Sequence, residues 1–177
     1  MKIHQEVILS DFILQYGLKR IAEIGVWKGH TVRKIMRRSN VYDFIDEYWA
    51  IDQWRVLSRE HGRKLAARTQ EHWDSMYKYC CGLMVFYPKL RTMKLTSLEA
   101  STLFPDEYFC LVFIDASHLY EDVKRDINIW WNKIKFGGFL FGHDYGVRGG
   151  VEDAVNEEFD NVLLEPSADL WYKRRIQ

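Results

Sequence analysis

The stretch FCLVFIDASHLYEDVKRDINIWWNKIKFGGFLFGHDY, Phe109 to Tyr145, decides how the rest of the chain is read. Phe109–Ile114 is an almost unbroken apolar run, the pattern of a strand covered on both faces. It ends in a polar cluster, Asp115-Ala116-Ser117-His118, where the chain has to leave the sheet. Tyr120, Val123, Ile127, Trp130 or Trp131, and Ile134 then return at helical spacing, with Glu121, Asp122, Lys124, Arg125 and Asn128 on the other side. Gly137-Gly138 is expected to stop that helix, because glycine accepts the left-handed conformation in which many helices end. Phe139–Phe141 starts a second apolar strand, closed by His143-Asp144-Tyr145. Strand, amphipathic helix, strand is a crossover unit, so the two strands run parallel and both polar clusters emerge at one edge. In open α/β sheets that edge binds ligands.

Upstream, IAEIGVWKGHT (Ile21–Thr31) repeats the logic on a smaller scale. Ile21–Ile24 is a short strand with Glu23 near its end, Gly25 and Gly29 follow, and Thr31 can cap a helix through Val32, Ile35 and Met36. A strand, a glycine turn and a helix start let backbone approach a ligand without a Cβ in the way. A tight turn in any α/β protein would look the same. Dinucleotide sites want a glycine at the position held here by Trp27, and no phosphate loop of the G-x-x-x-x-G-K-[ST] type occurs. The pattern therefore suits a nucleoside without phosphates. Tyr48–Asp52 is the next strand, and Asp52 at its tip can accept hydrogen bonds from both ribose hydroxyls; the alternative is a surface aspartate at a strand end.

Elsewhere the signals are plainer. Glu6–Tyr16 reads as a short helix that either packs on the sheet or lies over the ligand edge. Ser58–Cys81 is polar and helix-forming, one helix or two, with Gly62 as a weak point. Arg59, Arg63, Lys64 and Arg68 on it read as a solvated face rather than substrate ligands. Lys89–Thr96 is a strand, followed by Ser97-Leu98 and a helical turn through Ser101. Val151–Phe159 is a helix, and Val162–Glu165 with Leu170–Arg174 form a closing hairpin.

Composition sets the outer bounds. The 177 residues are expected to form a single domain, residues 1–177. Lys plus Arg and Asp plus Glu both number 25, so no net field favours nucleic acid or an acidic membrane. Cys80, Cys81 and Cys110 lack metal-ligand or pairing spacing and read as inert thiols. Met1–Glu6 has no signal-peptide core and no apolar run approaches membrane-spanning length, so the expected location is the cytoplasm. Seven tryptophans and 15% aromatic residues leave room for a homodimer interface, although most should be core.

With Glu23-x-Gly25-x-x-x-Gly29, Asp52, Phe113-Ile-Asp115-Ala-Ser-His118-x-Tyr120-Glu121, Gly137-Gly138 and Gly142-His-Asp144-Tyr145 assembled, the chain resembles a class I S-adenosylmethionine-dependent methyltransferase. More narrowly it resembles methyltransferase family 24, related to macrolide-sugar O-methyltransferases and cephalosporin hydroxylase-like proteins. The resemblance runs from about Ile21 to the C-terminus. It implies an α/β, Rossmann-like methyltransferase fold: seven strands, six parallel and the last antiparallel, with helices on both faces. It also implies that Glu23, Gly25, Val26, Trp27 and Gly29 line the methionine end of S-adenosylmethionine and that Asp52 binds its ribose. By the same resemblance Gln53 and Trp54 neighbour ribose and adenine, Ser97 and Leu98 contact adenine, and Asp115, Ala116, Ser117 and His118 face the sulfonium and the acceptor. In metal-dependent relatives, positions matching Asp115 and Asp144 hold a magnesium ion. Here His143 stands at the first place of the acidic pair, a poorer ligand for a hard cation.

Methyl transfer to a hydroxyl needs in-line positioning and removal of a proton. His118 and His143 are the candidate bases, with Asp144 as orienting partner or metal ligand; His118 could equally cap the following helix. The expected function is therefore methyl transfer to a small acceptor, a hydroxyl of a metabolite or sugar. The competing class is a non-catalytic member of the fold acting as a binding or assembly module. A nicotinamide oxidoreductase is disfavoured by Trp27.

Overall fold

The computed structural model describes residues 3–61 and 63–177. Gly62 lies outside them, as do the side chains of Arg59, Arg63 and Lys64. The strands are β1 (Arg20–Ile24), β2 (Glu47–Asp52), β3 (Leu90–Lys94), β4 (Phe109–Ile114), β5 (Ile134–Gly142), β6 (Leu163–Glu165) and β7 (Leu170–Arg174). The helices are α1 (Gln5–Gln15), α2 (His30–Met36), α3 (Ser39–Phe44), α4 (Arg63–Ala66), α5 (Gln70–Phe86), α6 (Ser97–Ser101), α7 (Tyr120–Trp131) and α8 (Gly149–Glu158). One seven-stranded sheet runs β3-β2-β1-β4-β5-β7-β6. Neighbours from β3 to β5 pair parallel, and β7 pairs antiparallel with both β5 and β6. Six strands thus share one direction and only β7 opposes them, as the resemblance implied.

The period-2 alternation of the strands builds two cores. Ile21, Leu111, Phe113, Phe139 and Phe141 face one side, with α1, α2 and α5 over them; Ala22, Val112, Ile114 and Leu140 face the other, under α6, α7 and α8. Every residue of β4 is buried, which explains why its sequence is continuous rather than alternating. Among the described residues no helix is long and apolar enough to cross a membrane.

Several expectations need correction. Gly137-Gly138 does not end α7, which stops at Trp131 with Asn132 as its C-cap. The glycines sit inside β5, where the register jumps from Phe109↔Ile134 to Leu111↔Phe139. Gly137 takes φ +83°, and a Cβ on Gly138 would lie 2.6 Å from the Cys110 carbonyl oxygen, so both serve a bulge rather than a helix end. Thr31 does not cap α2: Gly29, at φ +68°, is the N-cap, and it makes no side-chain cap hydrogen bond. The 58–81 region is broken further than expected, into a 3₁₀ turn at Arg59–His61, then α4 and α5. Helix α3 is an addition for which the sequence carries no strong signal. Helix α1 does both things left open for it. Ile8, Leu9 and Ile13 are buried on the sheet, and its first residue, Gln5, reaches the ligand edge.

Candidate functional site

Strand order places β1 beside β4, while β2 and β3 extend to one side and β5 to the other. The crevice between the carboxyl ends of β1 and β4 is the switch point at which such sheets take ligands. The two segments are pressed together there. Gly25 leaves β1 at φ +90°, and a Cβ on it would lie 2.2 Å from the Asp115 carbonyl oxygen. Only glycine fits that gap. Gly29 is similarly confined on the other side, where an added Cβ would meet Cys80 Sγ of α5 at 2.8 Å.

Asp52 organises the glycine loop. Its Oδ2 accepts the backbone N–H groups of Val26 (2.9 Å) and Trp27 (2.8 Å), and its Oδ1 accepts that of Trp54 (2.8 Å). Burial pushes its carboxyl pKa up, against the pull of these backbone donors. Trp27 takes φ +47° and is 41% exposed, with Lys28 Nζ 4.4 Å from its ring centre. The Trp54 ring is fully buried against Tyr77, and its Nε1 donates to the Trp27 carbonyl (2.8 Å). Its part at the edge is therefore played by backbone. Gln53 beside it is half-buried.

Glu23 is almost completely buried and accepts a hydrogen bond from Tyr48 Oη at 2.7 Å. Burial raises its pKa to about 8; the Tyr48 bond works the other way, and the nearby Asp115 and Asp52 add to the rise. Glu23 is thus a neutral carboxylic acid at neutral pH, lying beneath the crevice. Ser97, at the start of α6, accepts the indole N–H of Trp130 (2.8 Å), whereas Leu98 is half exposed at the surface. Thr96 forms a capping box with Glu99 that fixes this turn.

Across the crevice stands a second cluster. Asp144, at φ +62°, lies between two imidazoles: His118 Nε2 is 2.6 Å from its Oδ2 and His143 Nδ1 is 3.2 Å from its Oδ1. Those two contacts hold the Asp144 carboxyl far below the usual carboxylate range. Burial opposes protonation of His143, but the bond to Asp144 and the charge of Asp115 outweigh it and raise its pKa. His143 Nδ1 also lies 3.8 Å from Asp115 Oδ1. Burial raises the Asp115 pKa, with His143 pulling it back. Ala116 is exposed; Ser117 Oγ accepts the Leu119 amide and steadies the start of α7. His118 does not cap α7 with its side chain.

Asp115, His118 and Asp144 each offer one ligand atom, all within 4.8 Å of one another. Two carboxylates and an imidazole form a donor set able to hold a divalent cation, so the residues present fit one. The expected pair Asp115 and Asp144 is brought together, but the third donor is His118 rather than the residue at position 143.

Two participants escaped the sequence reading. Gln5 Nε2 donates to Thr31 Oγ1 (2.9 Å) and to Asp115 Oδ2 (3.2 Å), tying α1 and α2 to the tip of β4. His61 Nε2 lies 3.2 Å from Asp122 Oδ2 in the first turn of α7, and His61 Nδ1 lies 2.8 Å from Ser58 Oγ. The segment between β2 and α5 is thereby fastened across the edge of the sheet. Gln5 and Asp115 are 110 residues apart in the chain, and no local pattern announces such a contact.

A family model described as a methyltransferase domain matches residues 22–145. The chain is 25% identical over 134 residues to the uncharacterized protein y4gI of Sinorhizobium fredii. That match covers 73% of this chain but spans only 13% of the relative's length. Among solved structures, the fold is similar to that of the O-methyltransferase NovP, with a TM-score of 0.69 and 19% identity, over 97% of this chain and 78% of that one. It is also similar to the SAH-bound Podospora anserina methyltransferase PaMTH1, with a TM-score of 0.65 and 15% identity, over 98% of this chain and 78% of that one. At these identities the likeness to the solved structures is one of fold.

Proposed function

The chain belongs to the methyltransferase domain family that its residues 22–145 match, and from that premise we propose that it moves the methyl group of S-adenosylmethionine to a hydroxyl of a small acceptor. The observation that carries this reading is the pairing, across one crevice, of the Asp52-organised glycine loop with the Asp115–His118–His143–Asp144 cluster. Asp52 and Asp115 lie close enough to Glu23 to raise its pKa, an acidic surrounding that suits a cationic sulfonium and repels a pyrophosphate. The fold neighbour with bound SAH supports the same donor.

In the reaction the S–CH₃ bond breaks as a C–O bond forms, and the electron pair returns to a sulfur that becomes neutral. Alignment of the two partners supplies much of the rate. The glycine loop and Asp52 hold the donor on one wall of the crevice. The acceptor oxygen then lies toward the Asp144-centred cluster, which removes the hydroxyl proton or lowers its pKa. A divalent ion held by Asp115, His118 and Asp144 would supply the second of these.

Calorimetric titration with S-adenosylmethionine and SAH tests the donor site. Micromolar binding of both is expected, and Asp52→Ala should weaken it at least about tenfold, since three backbone donors lose their acceptor and the loop its anchor. Unchanged affinity in that variant removes Asp52 from the site. Tight binding with no transfer to any of a broad hydroxyl panel would favour a binding module instead.

A further inference from the structure

In sequence, Arg68 reads as part of a solvated helix face; in space it stands beside the glycine loop. The helical run breaks at residues 67–69, and Thr69 caps α5 by accepting the His72 amide. Gln70 Nε2 donates to the Trp54 carbonyl at 2.9 Å, which pins the start of α5 to the turn after β2. Arg68, in that break, is half-buried, with its Cζ 6.0 Å from the centre of the Trp27 ring. Lys28 Nζ lies 4.4 Å from the same ring. Two cations thus gather at the exposed side chain of the loop.

Neither has a counter-charge. Among the described residues no carboxylate lies within ion-pair distance of Arg68 or Lys28. Arg68 Nη1 lies 2.9 Å from His72 Nε2, while its Nε is buried and has no hydrogen-bond partner among the described residues. A guanidinium carries five N–H donors in a planar fork, so most of the capacity of this one is unspent. The fork matches a carboxylate, which accepts two parallel bonds from it.

The methyl donor supplies such a group. On the methyl-transfer reading, S-adenosylmethionine lies along the glycine loop, and its methionine end bears one carboxylate beside two cationic centres, the sulfonium and the ammonium. The crevice itself is acidic: Asp52 and Asp115 both raise the Glu23 pKa, and Asp144 raises that of Asp115. Such surroundings attract the two cationic centres and repel the carboxylate, which finds unpaired positive charge only at Trp27. We infer that Arg68, assisted by Lys28, receives the carboxylate of the donor's amino-acid moiety and makes the site selective for nucleosides that carry one. The identity of the ligand rests on the methyl-transfer reading. Arg68 touches no reacting atom; it fixes the methionine end so that the methyl group faces the Asp144-centred cluster.

The test is calorimetric titration of the full chain with SAH and with its decarboxylated analogue, which keeps the adenosine, the sulfur and the amine. The unaltered protein should bind SAH at least about tenfold more tightly than the analogue. Arg68→Met keeps an apolar stem, and should weaken SAH at least about tenfold while leaving the analogue within about threefold, so that the preference collapses. Arg68→Lys should restore part of the preference, because the charge returns without the fork. Melting curves check that both variants fold. Equal affinity of the unaltered protein for the two ligands, or an SAH affinity untouched by Arg68→Met, would overturn the inference. A loss shared equally by SAH and the analogue would overturn it too, making Arg68 a structural support of Trp27. The methyl-transfer reading survives all three results, because SAH still binds the unaltered protein in each. Failure of the unaltered protein to bind either ligand would sink that reading as well.

Discussion

Glu23 offers a sharp test because its environment sets both the sign and the size of the effect. The carboxyl is buried beneath the crevice, and its pKa rises from 4.5 to about 8. The folded protein then keeps a proton that the unfolded chain releases once the pH exceeds 4.5. The stability that this group contributes is fully present below that point and is lost as pH rises through about 8. Over the interval the slope is about 1.4 kcal/mol per pH unit. Between about pH 5.5 and about pH 7.5, Glu23 alone should therefore remove roughly 2–3 kcal/mol of folding stability. Glu23→Gln keeps an acceptor for Tyr48 Oη and carries no titrating proton. Urea denaturation of both proteins at the two pH values cancels Asp126, whose pKa burial also raises and whose neighbours are Ser97, Arg125 and Asp122, so the difference reports Glu23 together with the Asp52 and Asp115 carboxyls that act on it. The unaltered protein should lose roughly 2–3 kcal/mol relative to the variant on going to the higher pH. A stability difference that stays flat across this range would mean Glu23 is already ionised at the lower pH, and the picture of a neutral acid under the crevice would be wrong.

Gly25→Ala forces a methyl group to 2.2 Å from the Asp115 carbonyl oxygen at φ +90°, so about 3 kcal/mol of destabilisation is expected from strain and overpacking together; a loss below about 1 kcal/mol in urea denaturation would show that β1 and β4 are not locked at this point. Asp144→Asn keeps a residue that tolerates φ +62° but removes the charge between His118 and His143. Methyl transfer should fall roughly a hundredfold while the melting temperature shifts by only a few degrees, and retained activity would place the proton-removing step elsewhere.

The parts of this protein legible in the sequence were those written in local periodicity. The all-apolar run Phe109–Ile114 and the amphipathic helix after it announced a parallel crossover, and the glycines at 25 and 29 announced a tight loop after a strand. Asp52 at a strand tip was legible for the same reason, since strand ends follow from where an apolar run stops. Gly137-Gly138 misled because glycine serves a helix end and a strand bulge equally well, and only the register between β4 and β5 distinguishes them. The orientation of each side chain was not legible. Burial turned Glu23 away from solvent onto Tyr48, hydrogen bonding turned Asp52 onto three backbone amides, and the fold brought Gln5 to Asp115 across 110 residues of chain. Which of two histidines joins the carboxylates was decided the same way, by the left-handed turn at Asp144 and the approach of α7. Where a strand ends depends on neighbours along the chain, and sequence alone determines it; what its last residue touches depends on neighbours in space, and those exist only after the sheet has assembled.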